Sequence, residues 1–266
     1  MGRALPLVVQ EAVRAYLEAV DATVPGLIVG LYLTGSVALG DFRPHASDID
    51  FVAVAAGPPG PAALAALAEV HTRGRARPYL DGIYVTWGDL AGDPGAAATG
   101  PYTNEGRFQP HSRAQRHPVT RHTLWRHGIP LRGPAREDLA VWTDTAALTS
   151  WTRGNLETYW RPWWQRSAGL LSRAGLAMLG AWAPAWGVLG VSRLHYTLAT
   201  GEITSKEGAG VYAKAALPSR WHHVLDECLR IRRGEGGRSL YRNPLERRRD
   251  ALLYMRAVLT EAHRLQ

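Results

Sequence analysis

Sulfur and lysine are scarce in this chain, which has one cysteine (Cys228), three methionines and two lysines (Lys206 and Lys214) among 266 residues. One thiol excludes an intramolecular disulfide framework and any cysteine cluster for zinc or iron–sulfur. The neighbours of Cys228, Asp226 and Glu227, are acidic and do not favour a thiolate, so a buried, inert thiol is expected. Uninterrupted apolar runs are also rare. Ala174 to Val191 carries no charge, but Pro184 and Gly175, Gly180, Gly187 and Gly190 punctuate it. It therefore reads as two shorter buried segments rather than a bilayer span. Met1-Gly2-Arg3-Ala4-Leu5-Pro6 has no long apolar region before Glu11, so no secretory signal is read and a cytoplasmic location is expected.

Arginine supplies the other 29 basic residues and most of the net charge of +8. From Arg220 onward eleven arginines face six acids, a diffuse surplus that reads as a solvated helical face. A nucleic-acid partner is therefore not expected. The chain is 46% hydrophobic with ten tryptophans and ten tyrosines, which excludes disorder. Its length suits one large domain or two ordinary ones.

Leu5, Val8, Val9, Ala12, Val13, Tyr16, Leu17 and Val20 recur at three- and four-residue steps, the pattern of an amphipathic helix that ends before Pro25-Gly26. Leu27 to Leu33 and Asp48 to Val54 are short apolar runs bounded by turn residues, and Ile83 to Trp87 is rich in β-branched and aromatic residues. All three predict strands, with a helix between Pro61 and Val70. Residues 89–117 lose periodicity and are expected to form a long loop. Beyond it, helices are expected at 118–127, 136–152, 186–200, 205–216, 218–233 and 244–264, with no strand among them. Four histidines, His111, His117, His122 and His127, match no zinc spacing and read as scattered loop and helix residues.

Gly35-Ser36 follows the first strand, and Asp48-Ile49-Asp50 opens the second. Residues i and i+2 of a strand share a face, so the two carboxylates project together, which suits Mg²⁺. Gly35 permits close backbone approach, and Ser36 and Ser47 are placed to hold phosphate oxygens. Asp81 precedes the third strand, where pairing would bring it beside the other two. Three acids and a Gly-Ser turn describe a nucleotidyl-transfer site in which metal bridges the triphosphate and a carboxylate takes the proton of an attacking hydroxyl. Displacement at the α-phosphate of ATP would leave an AMP ester.

Leu33-Thr34-Gly35-Ser36 and Ser47-Asp48-Ile49-Asp50 resemble the signature of polymerase-β-like nucleotidyltransferases, in particular the aminoglycoside adenylyltransferases. Arg193 to Lys206 resembles the helical C-terminal domain of the streptomycin/spectinomycin type, and Gly128 to Pro134 the segment joining its two domains. The resemblance implies an α/β N-terminal nucleotidyltransferase domain with a mixed sheet over 1–133 and an all-α helical bundle over 134–266. It implies Mg²⁺ on Asp48 and Asp50, Asp81 where the family has a glutamate base, and ATP phosphates on Ser36 and Ser47. Lys206 and Arg193 would contact phosphate, His122 would lie near the nucleotide, and Arg232 stands where the family can have a tyrosine. The substrates implied are ATP and an aminoglycoside-like antibiotic, held between the domains. The acids that receive the cationic drug in the family should lie near 179–183, where this chain has Leu179-Gly180-Ala181-Trp182-Ala183. Trp163, Trp164, Trp182 and Trp186 would suit a flatter or less charged acceptor, with Glu105 and Glu157 as substitute acids. The alternatives are another hydroxylated natural product or a protein as acceptor, a non-catalytic nucleotide-binding module, and a transferase acting on nucleic acid.

Overall fold

Val9, Val13, Tyr16 and Val20 form the buried stripe of the first helix, α1 (Leu7–Thr23). The computed structural model describes residues 4–74, 76–95, 99–262 and 264–265. The tripeptide Met1-Gly2-Arg3, residues 96–98 of the expected loop and His263 of the last expected helix lie outside the described residues. Two units partition the chain, Met1–Asp144 and Thr145–Gln266.

In the first unit α1 is followed by β1 (Ile28–Leu33), α2 (Gly35–Ala38), β2 (Ile49–Ala55), α3 (Pro61–Arg73), β3 (Leu80–Val85) and α4 (Trp87–Ala91). Then come β4 (Gly100–Asn104), β5 (Arg107–Ser112), α5 (Pro118–His127) and β6 (Ile129–Arg132). The six strands make one mixed sheet in the order β5-β4-β3-β2-β1-β6. Only β2 and β3 run parallel, joined by the α3 crossover; the other neighbours are antiparallel. Alternation assigns the faces. Leu31, Leu33, Ile49, Phe51 and Ala53 pack with α1 and α3, whereas Tyr32, Val52, Val54, Ile83 and Val85 pack with Leu90 of α4 and Leu124 of α5.

The expected loop at 89–117 is instead largely structured. It holds the end of α4 and the β4–β5 hairpin, closed by Glu105 and Gly106 at φ 51° and 68°, the two-residue turn that matches strand twist. Period-two patterning is absent because β5 is an edge strand whose residues are exposed or half-buried, so neither face selects for apolar side chains. The strand β6 was likewise not expected; it is four residues long with Pro130 inside it, at the other edge. The helix expected over 136–152 divides into a 3₁₀ turn at Arg136–Asp138, an extended stretch and a helix from Thr145. In that stretch Leu139 and Val141 pack on the first unit's core, and the Trp142 N–H donates to the Leu90 carbonyl at 2.8 Å.

The second unit is helical. α6 (Thr145–Asn155) runs through a π-helical turn, Leu156–Trp160, into α7 (Arg161–Ala168), followed by α8 (Arg173–Ala177), α9 (Trp182–Thr200), α10 (Lys206–Ala216), α11 (His222–Arg233) and α12 (Pro244–Glu261). Central α9 packs against α6, α10, α11 and α12. Its Gly187 and Gly190 do not break it. A Cβ on Gly190 would meet the Trp160 ring at 2.1 Å, and one on Gly187 would meet Met255 at 2.6 Å and Trp163 at 2.8 Å. These glycines are the sockets in which the aromatic side chains and the thioether sit. Cys228 is buried, and burial pushes its thiol well above the usual range. No described helix is long and apolar enough to cross a membrane.

Candidate active site

The end of β1 and the starts of β2 and β3 lie at one end of the sheet, because β1 is antiparallel to β2 and β2 is parallel to β3. The Thr34 N–H donates to the Asp50 carbonyl at 2.9 Å, so the Gly35-Ser36 turn is pinned directly to the strand that carries the acids. Gly35 has φ 55°, and a Cβ there would lie 1.8 Å from Asp50 Oδ2. Glycine is therefore required twice over, for the backbone conformation and for the carboxylate seated against it. Ser36 Oγ is buried with no hydrogen-bond partner among the described residues. Buried hydroxyls are usually satisfied, and this one is placed to bond a phosphate oxygen. Ser47 Oγ accepts the Arg43 N–H at 3.0 Å, which fixes the hydroxyl in the turn before β2.

Asp50 pairs with Asp81 in the parallel register. Asp48, Asp50 and Asp81 share parity with Val52, Val54, Ile83 and Val85, so alternation puts all three on the face toward α4 and α5. Asp81 is buried, and its Oδ1 accepts the Glu105 N–H at 2.7 Å. Burial raises its pKa to about 7; the Glu105 N–H opposes the rise, and the charges of Asp48, Asp50 and Glu105 add to it. Nearby Tyr102 donates its hydroxyl proton to Asn104 at 3.0 Å. Burial, with the charges of Asp81, Asp50 and Glu105, pushes its phenol up to about 12. Arg77 Nη1 lies 3.8 Å from Asp48 Oδ1. Sequence reasoning missed both Arg77 and the Glu105 amide. Asn104-Glu105-Gly106 was the available signal for the hairpin, whereas nothing in the pattern around Arg77 announces it.

No three His, Cys, Asp or Glu side chains are arranged to hold an ion by themselves among the described residues. Two carboxylates from β2 are nevertheless what Mg²⁺ asks of a protein when substrate phosphates and water supply its other ligands. The seat of Asp50 against Gly35 and the unsatisfied Ser36 hydroxyl fit that arrangement.

His122 is buried on α5, a helix that packs against α2; its Nε2 lies 3.4 Å from the Asp144 carbonyl and its ring meets Trp125 edge-on. His117 caps the same helix, its Nδ1 accepting the Thr120 N–H. In the second unit Ser205 caps α10 by accepting the Gly208 N–H, which puts Lys206 in the first turn with its ammonium 4.4 Å above the Trp186 ring. Trp182, largely exposed, stacks on the same Trp186 ring with centroids 5.4 Å apart. Arg232 is buried on the last turn of α11, which the Arg233–Glu207 ion pair holds against the start of α10; Arg193 is half-buried on α9. Trp163 and Trp164 are half-buried and pack against the core, the latter donating its N–H to the Leu252 carbonyl. Glu157 is engaged by Arg161 through two hydrogen bonds, and Glu105 is exposed at the hairpin tip.

Residues 13–79 match the nucleotidyltransferase domain family, and residues 168–255 match the aminoglycoside adenylyltransferase C-terminal domain. No curated protein sequence matches the chain. Among solved structures, a spectinomycin adenyltransferase from Enterococcus faecialis, crystallised with ATP and spectinomycin, is similar with a TM-score of 0.69. The identity is 13% over 96% of this chain and 99% of that one, a likeness of fold. The chain thus carries, in this order, a nucleotidyltransferase domain and an aminoglycoside adenylyltransferase C-terminal domain, which together mark an enzyme of the aminoglycoside adenylyltransferase type.

Proposed function

We propose that the chain transfers AMP from MgATP to a hydroxyl of an aminoglycoside-like antibiotic. The observation that carries this reading is the acid cluster at the start of β2 and β3, with Asp81 beside Asp50 and its carboxyl raised to about 7. A carboxylate poised near the working pH is suited to accept the acceptor hydroxyl's proton as its oxygen attacks the α-phosphorus. Asp48 and Asp50 would hold Mg²⁺, which when bound neutralises charge on the triphosphate and the departing pyrophosphate. Ser36, Ser47 and the amides of the Gly35 turn orient phosphate oxygens, and Glu105 fixes the Asp81 carboxylate through its main-chain N–H. Lys206, Arg193, Arg232 and His122 are assigned to the nucleotide as residues of the same reading.

A second reading changes only the acceptor. Leu179 to Ala183 carries no carboxylate, and the exposed Trp182 ring offers a stacking surface, which favours a less cationic hydroxylated compound. One experiment tests both: magnesium-dependent pyrophosphate release and product mass across streptomycin, spectinomycin, kanamycin-type aminoglycosides and unrelated hydroxylated antibiotics. One AMP added to an aminoglycoside supports the first reading, and AMP added only to an uncharged compound supports the second. Asp48→Asn and Asp50→Asn should abolish transfer without unfolding the chain. Transfer that survives both changes overturns the assignment. With the true acceptor the rate should climb as pH rises toward about 7 and Asp81 loses its proton, and Asp81→Asn should remove that limb.

A further inference from the structure

Arg77 occupies a position that a surface arginine does not need. It stands in the segment before β3, which is tied to the acid-bearing strand by the Ile49 N–H donating to the Tyr79 carbonyl at 2.7 Å. Its guanidinium sits 4.9 Å over the Tyr79 ring, which gives a flexible side chain a platform. From there Nη1 comes within 3.8 Å of Asp48 Oδ1, inside ion-pair range and beyond a hydrogen bond. Among the described residues no hydrogen bond consumes the donors of this guanidinium, and the side chain is 59% exposed. As a stabilising element the pair is poor, since exposed ion pairs contribute little. As a device for handling anions it is well made: a planar fork of five donors, held at the rim of a carboxylate cluster.

The local charge balance decides its use. Asp48, Asp50 and Asp81 lie together with Glu105 close by, and the charges of the other three help raise the Asp81 carboxyl. A divalent cation on Asp48 and Asp50 would repel Arg77, while a polyphosphate arriving beside that cation would attract it and match its geometry. We propose that Arg77 is a polyphosphate-binding residue, which offsets the charge of Asp48 in the empty centre and passes to the phosphate oxygens of the incoming nucleotide when metal takes that carboxylate. The inference rests on the nucleotidyl-transfer reading above and adds a residue to it.

The two halves of the exchange predict effects of opposite sign, which a merely structural role would not produce. Calorimetry on the full chain would compare Mn²⁺ alone with magnesium and a non-hydrolysable α,β-methylene ATP analogue. Arg77→Gln should tighten Mn²⁺ by about threefold, as a nearby like charge is removed. It should weaken the nucleotide by about tenfold, the size of a lost charge-assisted hydrogen bond. Arg77→Lys keeps the charge without the fork and should fall between the two, and Tyr79→Leu, which removes the platform, should weaken the nucleotide by a smaller factor. A thermal melt of each variant checks the fold. If the wild-type chain binds the analogue and Arg77→Gln binds it equally well, the assignment of Arg77 is wrong and the transferase reading stands. If the wild-type chain binds no nucleotide with magnesium, both fall.

Discussion

Gly35→Ala isolates the geometry of the acid cluster from its chemistry, since it changes no group that ligates or titrates. Two costs arise. A left-handed φ of 55° costs an alanine about 1–2 kcal/mol relative to glycine. The new Cβ would start 1.8 Å from Asp50 Oδ2, 2.5 Å from Cγ and 2.8 Å from Cβ. Non-bonded contact requires about 3.5 Å, so the carboxylate must withdraw by more than an atom's radius. Against a typical stability of ~5–15 kcal/mol the strain leaves the fold standing. Misplacing a reacting group by ~1 Å, however, can cost roughly a hundredfold in rate. Gly26→Ala is the control, because Gly26 has φ 75° with nothing within 4 Å of the added atom. It should lose only the backbone part of that stability and keep its activity. The assay is adenylyl transfer by pyrophosphate release alongside a urea melt. Asp50→Ala in the Gly35→Ala background should recover part of the stability and none of the rate, a coupling expected of neighbours. Gly35→Ala turning over within about threefold of wild type would refute the argument that this glycine seats Asp50.

Two further predictions concern stability. His71 is buried between Phe51 and Phe108, with Nε2 2.6 Å from the Tyr84 hydroxyl, and burial lowers its pKa to about 4. The unfolded chain takes up this proton below about 6.5 and the folded chain does not, so stability is complete above that pH. It is lost as pH falls toward 4, by on the order of 3 kcal/mol at ~1.4 kcal/mol per unit. His71→Phe should flatten that part of the pH–stability curve, and an unchanged acid limb would exclude His71 as its source. In the second unit Glu227 is fully buried and accepts from Arg230, Ser239, Arg247 and the Leu240 N–H, contacts that outweigh burial and hold its carboxyl at about 2. Glu227→Ala leaves Arg247 buried without that partner and should cost about 3–5 kcal/mol in urea unfolding. A loss below ~1 kcal/mol would show that the network relaxes around the gap.

What was legible from sequence was whatever the folded environment enforces on both faces of an element. The strands β1, β2 and β3 are buried on both sides of the sheet, and their apolar runs announce them. Gly35-Ser36 and Asp48-Ile49-Asp50 mark their places because strand ends and turns restrict which residues fit. The hairpin of β4 and β5 escaped because an edge strand is not selected for alternation, and Pro101 and Pro110 inside the strands imitate loop composition. Glycine carries two meanings in one stretch. Ala174 to Val191 does divide into α8 and α9, with Gly180 between them, whereas Gly187 and Gly190 lie inside α9 and admit Trp163, Met255 and Trp160. A helix glycine that receives a large side chain cannot be told from a breaker until the partner is known, and that partner is distant in sequence. Arg77 escaped for the same reason, since its relation to Asp48 exists only through the β2–β3 register.

The single parallel strand pair has an electrostatic consequence. In sheets built from such crossovers, anionic ligands ordinarily lie beyond the carboxyl ends of the strands, where the positive pole of the connecting helix faces them. Asp48, Asp50 and Asp81 stand at the amino ends instead, and α3 begins at Pro61 beyond the far end of β2. Its negative pole, at Arg73, is the one directed back toward the acids' end of the sheet. On the transferase reading proposed above, a bare nucleotide would meet an electronegative entrance that the peptide dipoles of α3 do nothing to offset. A preference for metal-complexed over free nucleotide would then follow from the order in which strand and helix succeed one another, before any side chain makes a contact.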